Sequence, residues 1–292
     1  MRLNIFPVRK QQWILLGAGL FILSSLLIFG KTVTVKNKSA ASSIANANPP
    51  AVFSIEKYIN DAKEKLPVGQ LNYVNKLENS ISRGDVKEQQ IKVYSQLASF
   101  WDDSVHEHEL HNYYTSQQAK LVNSEKSLTF AAQLMLAELR NEPDPLKRGW
   151  KSEQAIELFE KAIIQNPNSD SLKIGLGSCY IFGKGMAGDP QETMKGIQQI
   201  LQVAHKDSTN MQAQLVLGIG GVISTQYDKA IERLLKVTKA QPGNLEAISW
   251  LADAYAAKGD KPNALKWYDI SKRLVNNPVY SKEVDERIKM LK

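Results

Sequence analysis

The decisive stretch is residues 154–168, QAIELFEKAIIQNPN, because its frame of small and large apolar positions returns three more times. Ala155, Phe159, Ala162 and Pro167 stand four, three and five residues apart. The frame comes back as Ala230, Leu234, Val237 and Pro242 within KAIERLLKVTKAQPGN, residues 229–244. It comes back again as Ala264, Tyr268 and Ser271, with Pro278 displaced by two, and as Gly196, Ile200, Val203 and Ser208. Apolar residues at alternating spacings of three and four occupy one face of a helix. The proline that follows stops it, since its ring cannot continue an α-helix.

Each of the last three of these helices is preceded by another with a signature of its own: Leu176-Gly177 with Tyr180, Leu217-Gly218, and Leu251-Ala252 with Tyr255. Gly218 and Ala252 are 34 positions apart, as are Ala230 and Ala264. Gly177 and Gly218 are 41 apart, one period plus a seven-residue insertion, FGKGMAG, at 182–188. A fixed period of this length is the mark of stacked helical hairpins. Small residues allow the paired helices to approach, large ones fill the spaces between pairs, and each hairpin buries its faces only against its neighbours. Asp189-Pro190-Gln191-Glu192 reads as an N-cap, a first-turn proline and a capping-box partner.

These residues and this period resemble the tetratricopeptide-repeat (TPR) family from about residue 127 to 277. The expected fold is therefore all-α, a solenoid of helical hairpins at 127–277. Its first, degenerate hairpin pairs a helix at 128–139 with 154–165 across a long loop, NEPDPLKRGWKSE. Upstream, 53–126 is expected to hold amphipathic helices at 55–65, 71–82, 86–101 and 107–123. Gly84-Asp85 there resembles the turn at Gly259-Asp260, which implies one more divergent hairpin. A capping helix is expected within 278–292.

The first 52 residues read differently. Residues 1–12 are a basic leader, and from Trp13 through Gly30 the chain runs eighteen residues without a charge. That is the short end of what a helix needs to cross a bilayer. Arg9, Lys10 and Lys31 flank it, no small-x-small cleavage site follows directly, and no lipidatable cysteine comes after it, so an uncleaved anchor is expected. Residues 31–52, rich in Ser, Ala and Asn and ending near Pro49-Pro50, form a flexible linker. An N-terminal anchor with a short basic leader places the repeats outside the inner membrane, on the periplasmic side of a bacterial envelope. The net charge of +7 sits almost entirely in residues 1–50, which carry six basic and no acidic side chains. The basic balance thus belongs to the membrane flanks, and nucleic acid is not an expected partner.

No catalytic centre is legible and no cofactor or small-molecule substrate is implied. In His106-Glu107-His108-Glu109-Leu110-His111 no two histidines are four apart, as a zinc-protease helix requires. A metal-dependent enzyme using His106 to His111 is the alternative from another class, and self-association a third. Gly183-Lys184-Gly185 lacks the remaining positions of a phosphate loop. The lone Cys179 lies in an apolar helix and reads as a small buried hydrophobe.

In TPR proteins the first helix of each pair lines an inner groove. Carried onto this chain, the resemblance implies a groove of Ser171, Ile174, Ser178 and Ile181, then Gln212, Leu215, Ile219 and Val222, then Glu246, Ser249, Asp253 and Ala256. The Lys, Arg and Asn clamp with which some relatives grip acidic chain ends is missing at these places. The expected groove is apolar in its middle. Either it receives an apolar or amphipathic segment of a partner protein, or the chain's own N-terminal helices cover it. The expected role is a scaffold for other proteins, concerned with assembling or chaperoning envelope proteins.

Overall fold

A computed structural model describes residues 52–83 and 86–291. The expected membrane segment, the linker up to Ala51 and the Gly84-Asp85 turn lie outside the described residues. Among those described, no helix is long and apolar enough to cross a membrane.

The described chain is helical throughout, without a strand. Four helices come first: α1 (Ile55–Lys63), α2 (Val68–Arg83), α3 (Lys87–Phe100) and α4 (His108–Val122). Then follow α5 (Glu125–Leu139), α6 (Pro145–Gln165), α7 (Asp170–Tyr180), α8 (Pro190–Lys206), α9 (Met211–Ile223), α10 (Tyr227–Ala240), α11 (Leu245–Lys258), α12 (Lys261–Val275) and α13 (Pro278–Lys289). The pairs α3/α4, α5/α6, α7/α8, α9/α10 and α11/α12 are antiparallel hairpins stacked in order, with α13 laid over the last. The principal partner of α3 is therefore α4, although Val74 and Leu77 of α2 share an apolar cluster with Val93 and Leu97 of α3.

The repeat is written at the helix starts. Ser124, Asp144, Ser169, Asp189, Asn210, Asn244, Asp260 and Asn277 each hold the N-cap of a helix, with a side-chain oxygen accepting from backbone N–H groups of the first turn. Each such cap contributes about 1 kcal/mol by satisfying donors the helix itself cannot. Inside the hairpins the small residues act as expected. A Cβ added to Gly177 would lie 2.8 Å from the Gly196 carbonyl oxygen, and one added to Gly196 would lie 2.5 Å from that of Gly177. Only this pair of glycines lets α7 and α8 meet backbone to backbone.

Two sequence expectations are corrected. The 141–153 stretch is not a long loop: helix α6 begins at Pro145, capped by Asp144, whose side chain accepts from the amides of Leu146 and Lys147. The added turns bury Lys151 and Ser152. The second correction concerns the insertion after α7. It does not hang from the surface as a loop but continues the helix as a wide π-type turn over Ile181–Gly185, with Ile181 and Phe182 wholly buried.

A charged cluster ties α4, α5 and α6 together. The Lys151 ammonium pairs with Glu109, with Glu138 at 2.8 Å and with Glu142 at 2.8 Å. Lys147 pairs with Glu109 at 2.8 Å, and Asn112 donates to Glu138 at 2.7 Å. Burial pushes the Glu109 carboxyl up, as does its hydrogen bond with Glu138, while Lys147 and Lys151 pull against that shift. Burial also opposes ionisation of Glu138, but its bonds to Glu109, Lys151 and Asn112 outweigh that and hold it below the usual carboxylate range. The two carboxyls therefore share a proton that sits on Glu109.

Candidate partner-binding groove

In the second to fifth hairpins, successive first helices pack on one another, α5 on α7, α7 on α9 and α9 on α11, and so make the inner layer of the stack. Two clefts open along that layer. The first, about 340 Å³, is formed by Gln133, Leu136 and Arg140 of the α5 side, Ser171, Ile174 and Ser178 of α7, and Asn210 and Gln212 at the start of α9. Phe159 and Gly175 form its floor. Its polar residues are neutral apart from Arg140, and no carboxylate lines it.

The second cleft, about 330 Å³, lies farther along the same face between the turn after α5 and α11. Phe182 and Met186 of the insertion form one wall; Glu246, Ser249, Trp250 and Asp253 of α11 form the other, with Arg287 of α13 at the end. Arg287 reaches Asp253 at 3.0 Å, and Ser249 lies 3.0 Å from the Tyr280 hydroxyl, so α13 closes this end of the groove. The Asp253 carboxylate also accepts from the Tyr268 hydroxyl at 2.6 Å.

Arg140 belongs to both clefts. Its guanidinium stands 4.2 Å above the Phe182 ring and pairs across the groove with Glu246. The groove is thus divided in the middle by Arg140, Phe182 and Glu246 rather than open along its length.

The expected lining residues fall into two groups. Ser178 and Ile174 reach the first cleft although both are largely buried, Gln212 lines it from an exposed position, and Ser249 and Asp253 line the second. Ile181, Leu215 and Ile219 line neither cleft: they are core side chains between the layers, 0 %, 3 % and 0 % exposed, and Val222 is half-buried against the same core. They face inward because the insertion's Ile181 and Phe182 complete a core where an open groove was expected. The residues lining the two clefts all lie at 133 or beyond, so neither wall is built from the N-terminal helices. What fills the middle of the groove is the insertion. Arg140, Phe182, Trp250 and Arg287 were missed by the repeat frame, which assigns the inner face by helix position and takes no account of an insertion folding inward.

The histidines do not converge. His106 takes a left-handed conformation (φ 59°), the His108 Nδ1 lies 3.1 Å from Asp102, and the His111 Nδ1 lies 3.1 Å from the Ala98 carbonyl. Among the described residues no three His, Cys, Asp or Glu side chains gather as a metal site. Lys184 pairs with Glu153 at 2.8 Å. Cys179 is buried, and that burial pushes its thiol well above the ordinary range.

Residues 224–277, from the end of α9 through α12, match the family model described as tetratricopeptide repeat. The chain carries tetratricopeptide repeats. Among solved structures it is similar to TTC0263, a thermophilic TPR protein of Thermus thermophilus, at 14% identity over 70% of this chain and 98% of that one, with a TM-score of 0.50. It is also similar to YrrB, described as a TPR protein with an unusual peptide-binding site (15% identity, 72% of this chain, 97% of that one, TM-score 0.44). A third is MamA residues 41 to the end, from Desulfovibrio magneticus RS-1 (18% identity, 66% and 97%, TM-score 0.46). No curated protein matches the sequence significantly.

Proposed function

We propose that this TPR chain is a membrane-tethered binding protein, not an enzyme, whose inner face holds a segment of another protein. The observation that carries the reading is the pair of clefts along one continuous face, each with an apolar floor or wall and polar side chains around it. Carboxamides and hydroxyls such as Gln133, Ser171, Asn210 and Gln212 supply both donors and acceptors, which suits the main chain of an extended segment. Volumes of about 340 and 330 Å³ stand at the small end of ligand pockets. They fit one or two side chains each, not a whole helix.

The tether rests on the sequence from Trp13 through Gly30 with its basic flanks. Held at a bilayer, the repeats meet partners of the same membrane at raised effective concentration, so weak contacts in two small clefts suffice. The repeats lie outside the inner membrane in this reading, and the work is assembly or chaperoning of envelope proteins.

A photoreactive residue at Gln212, which is exposed and lines the first cleft, tests the groove in native membranes. Cross-links to another protein, identified by mass spectrometry, are expected. Cross-links confined to this chain's own residues would overturn the assignment. Carbonate extraction separates the tether from the groove: the full chain should stay with the membrane pellet and residues 52–292 should not.

A further inference from the structure

We infer that Arg140 and Glu246 form a latch that holds the groove closed across Phe182 and must release before a segment longer than one cleft can lie along it. The inference deepens the reading of this face as the partner site and concerns its regulation.

The first support is topological. Arg140 ends α5 in the second hairpin, and Glu246 sits in the first turn of α11 in the fifth. In a solenoid each hairpin touches its neighbours, and the curvature of the whole is the sum of small rotations at each joint. A bond between the second and fifth hairpins therefore acts on three joints at once. The other ion pairs of the described residues stay within one hairpin or join neighbours, as Lys120–Glu157, Lys206–Asp170, Lys258–Asp228 and Lys272–Asp285 do.

The second support is that the closed groove is divided at this bond. Arg140 lines both clefts, so moving its side chain joins them into one channel from Gln133 to Asp253. Phe182 stays in place when that happens, because its ring is 1 % exposed and packed in the core. It is the fixed platform on which the guanidinium rests, and the moving parts are the two charged side chains.

The third support is that the bond is built to be reversible. The side chains of Arg140 and Glu246 are 30% and 32% exposed. An ion pair open to water to that degree is weak, and an exposed cation over an aromatic face adds a comparable amount. Together they favour the closed form by on the order of ten-fold, so the open form is a populated minority. The pair also answers to salt, since water-exposed charges are screened.

Nitroxide labels at Ala137→Cys and Ala257→Cys, exposed positions on α5 and α11, read the span by pulsed electron resonance on the full chain in detergent. The native Cys179 is buried and takes no label. The expected result is one dominant short distance that shifts to longer, broader distances in Arg140→Gln and in Glu246→Gln, and partly so in 1 M salt. The exchanged pair, Arg140→Glu with Glu246→Arg, should return the short distance. Identical distances in parent and single variants would overturn the latch. Singles that open while the exchanged pair stays open would overturn it too, leaving Arg140 as packing on Phe182. No partner is needed for this measurement, so a failed latch and a failed groove assignment are distinguishable.

Discussion

Replacing Lys151 with Met keeps the side chain's length and apolar stem and removes only the charge. In the folded chain the Lys151 side chain is 4% exposed and meets three carboxylates, those of Glu109, Glu138 and Glu142. Without it, Lys147 alone remains to answer them, 2.8 Å from Glu109 and 3.8 Å from Glu142. Breaking a buried ion pair from one side costs about 3–5 kcal/mol, because the stranded charge keeps its desolvation penalty. Against a domain stability of roughly 5–15 kcal/mol this is a large fraction. The cost must also depend on pH. Stranded carboxylates take up protons more readily than in the parent, and once protonated they no longer repel each other. Lys151→Met should therefore be worst near pH 7 and recover toward pH 5, as measured by urea unfolding of both proteins across that range. A loss below about 1 kcal/mol at pH 7, or one that is the same at both pH values, would refute the claim that Lys151 holds this junction electrostatically.

Glu109→Gln should act in the opposite sense. Its carboxyl pKa is raised on folding, so the contribution it makes is present at low pH and lost as pH rises through that raised value. A permanently neutral Gln should raise the melting temperature at pH 7 relative to the parent, with the advantage fading toward pH 5. Gly196→Ala forces a methyl group to within 2.5 Å of the Gly177 carbonyl oxygen and should cost about 1–3 kcal/mol in chemical denaturation. Gly149→Ala, in α6 with nothing within 4 Å of the new methyl, should instead stabilise by about 0.5–1 kcal/mol. Asn244→Ala removes the cap that accepts from the Ala247 amide at 2.9 Å and should cost about 1 kcal/mol, most visible as faster amide exchange at the start of α11.

The solenoid was legible because it is local and repetitive. The frame of Ala155, Phe159 and Ala162 places buried residues wherever it recurs, and Ala230, Leu234, Val237 and Ala264 are all without exposure. The start of α6 was legible too and was overlooked. Asp144-Pro145 carries the same cap and first-turn proline as Asp189-Pro190. It was discounted because the repeat frame already supplied a helix beginning near Gln154, and a longer helix leaves buried charges at Glu142 and Lys151 that no repeat pattern asks for. Glu109 and Lys151 lie on different hairpins, and a charge buried against a partner forty residues away leaves no local signal.

The groove was only partly legible for a reason of the same kind. The frame correctly gives Gln212, Ser249 and Asp253 to the inner face, since in a regular stack position within the helix decides direction. It fails at Ile181, Leu215 and Ile219 because the seven-residue insertion does not obey the period. An insertion of apolar residues with two glycines, Gly183 and Gly185, can lie outside a solenoid or fold into it. Burial decides between them, because Phe182 and Ile181 together remove more apolar surface from water inside the groove than any exposed loop could. Once Phe182 is inside, it presents an aromatic face where the α5 helix ends, and a cation there gains from standing over it. Arg140 is that cation, and its reach across the groove to Glu246 follows from the insertion rather than from the repeat. The departure from the period is therefore what individualises the groove. A TPR stack without residues 182–188 would have an inner face continuous from α5 to α11 and no place for Arg140 to divide it.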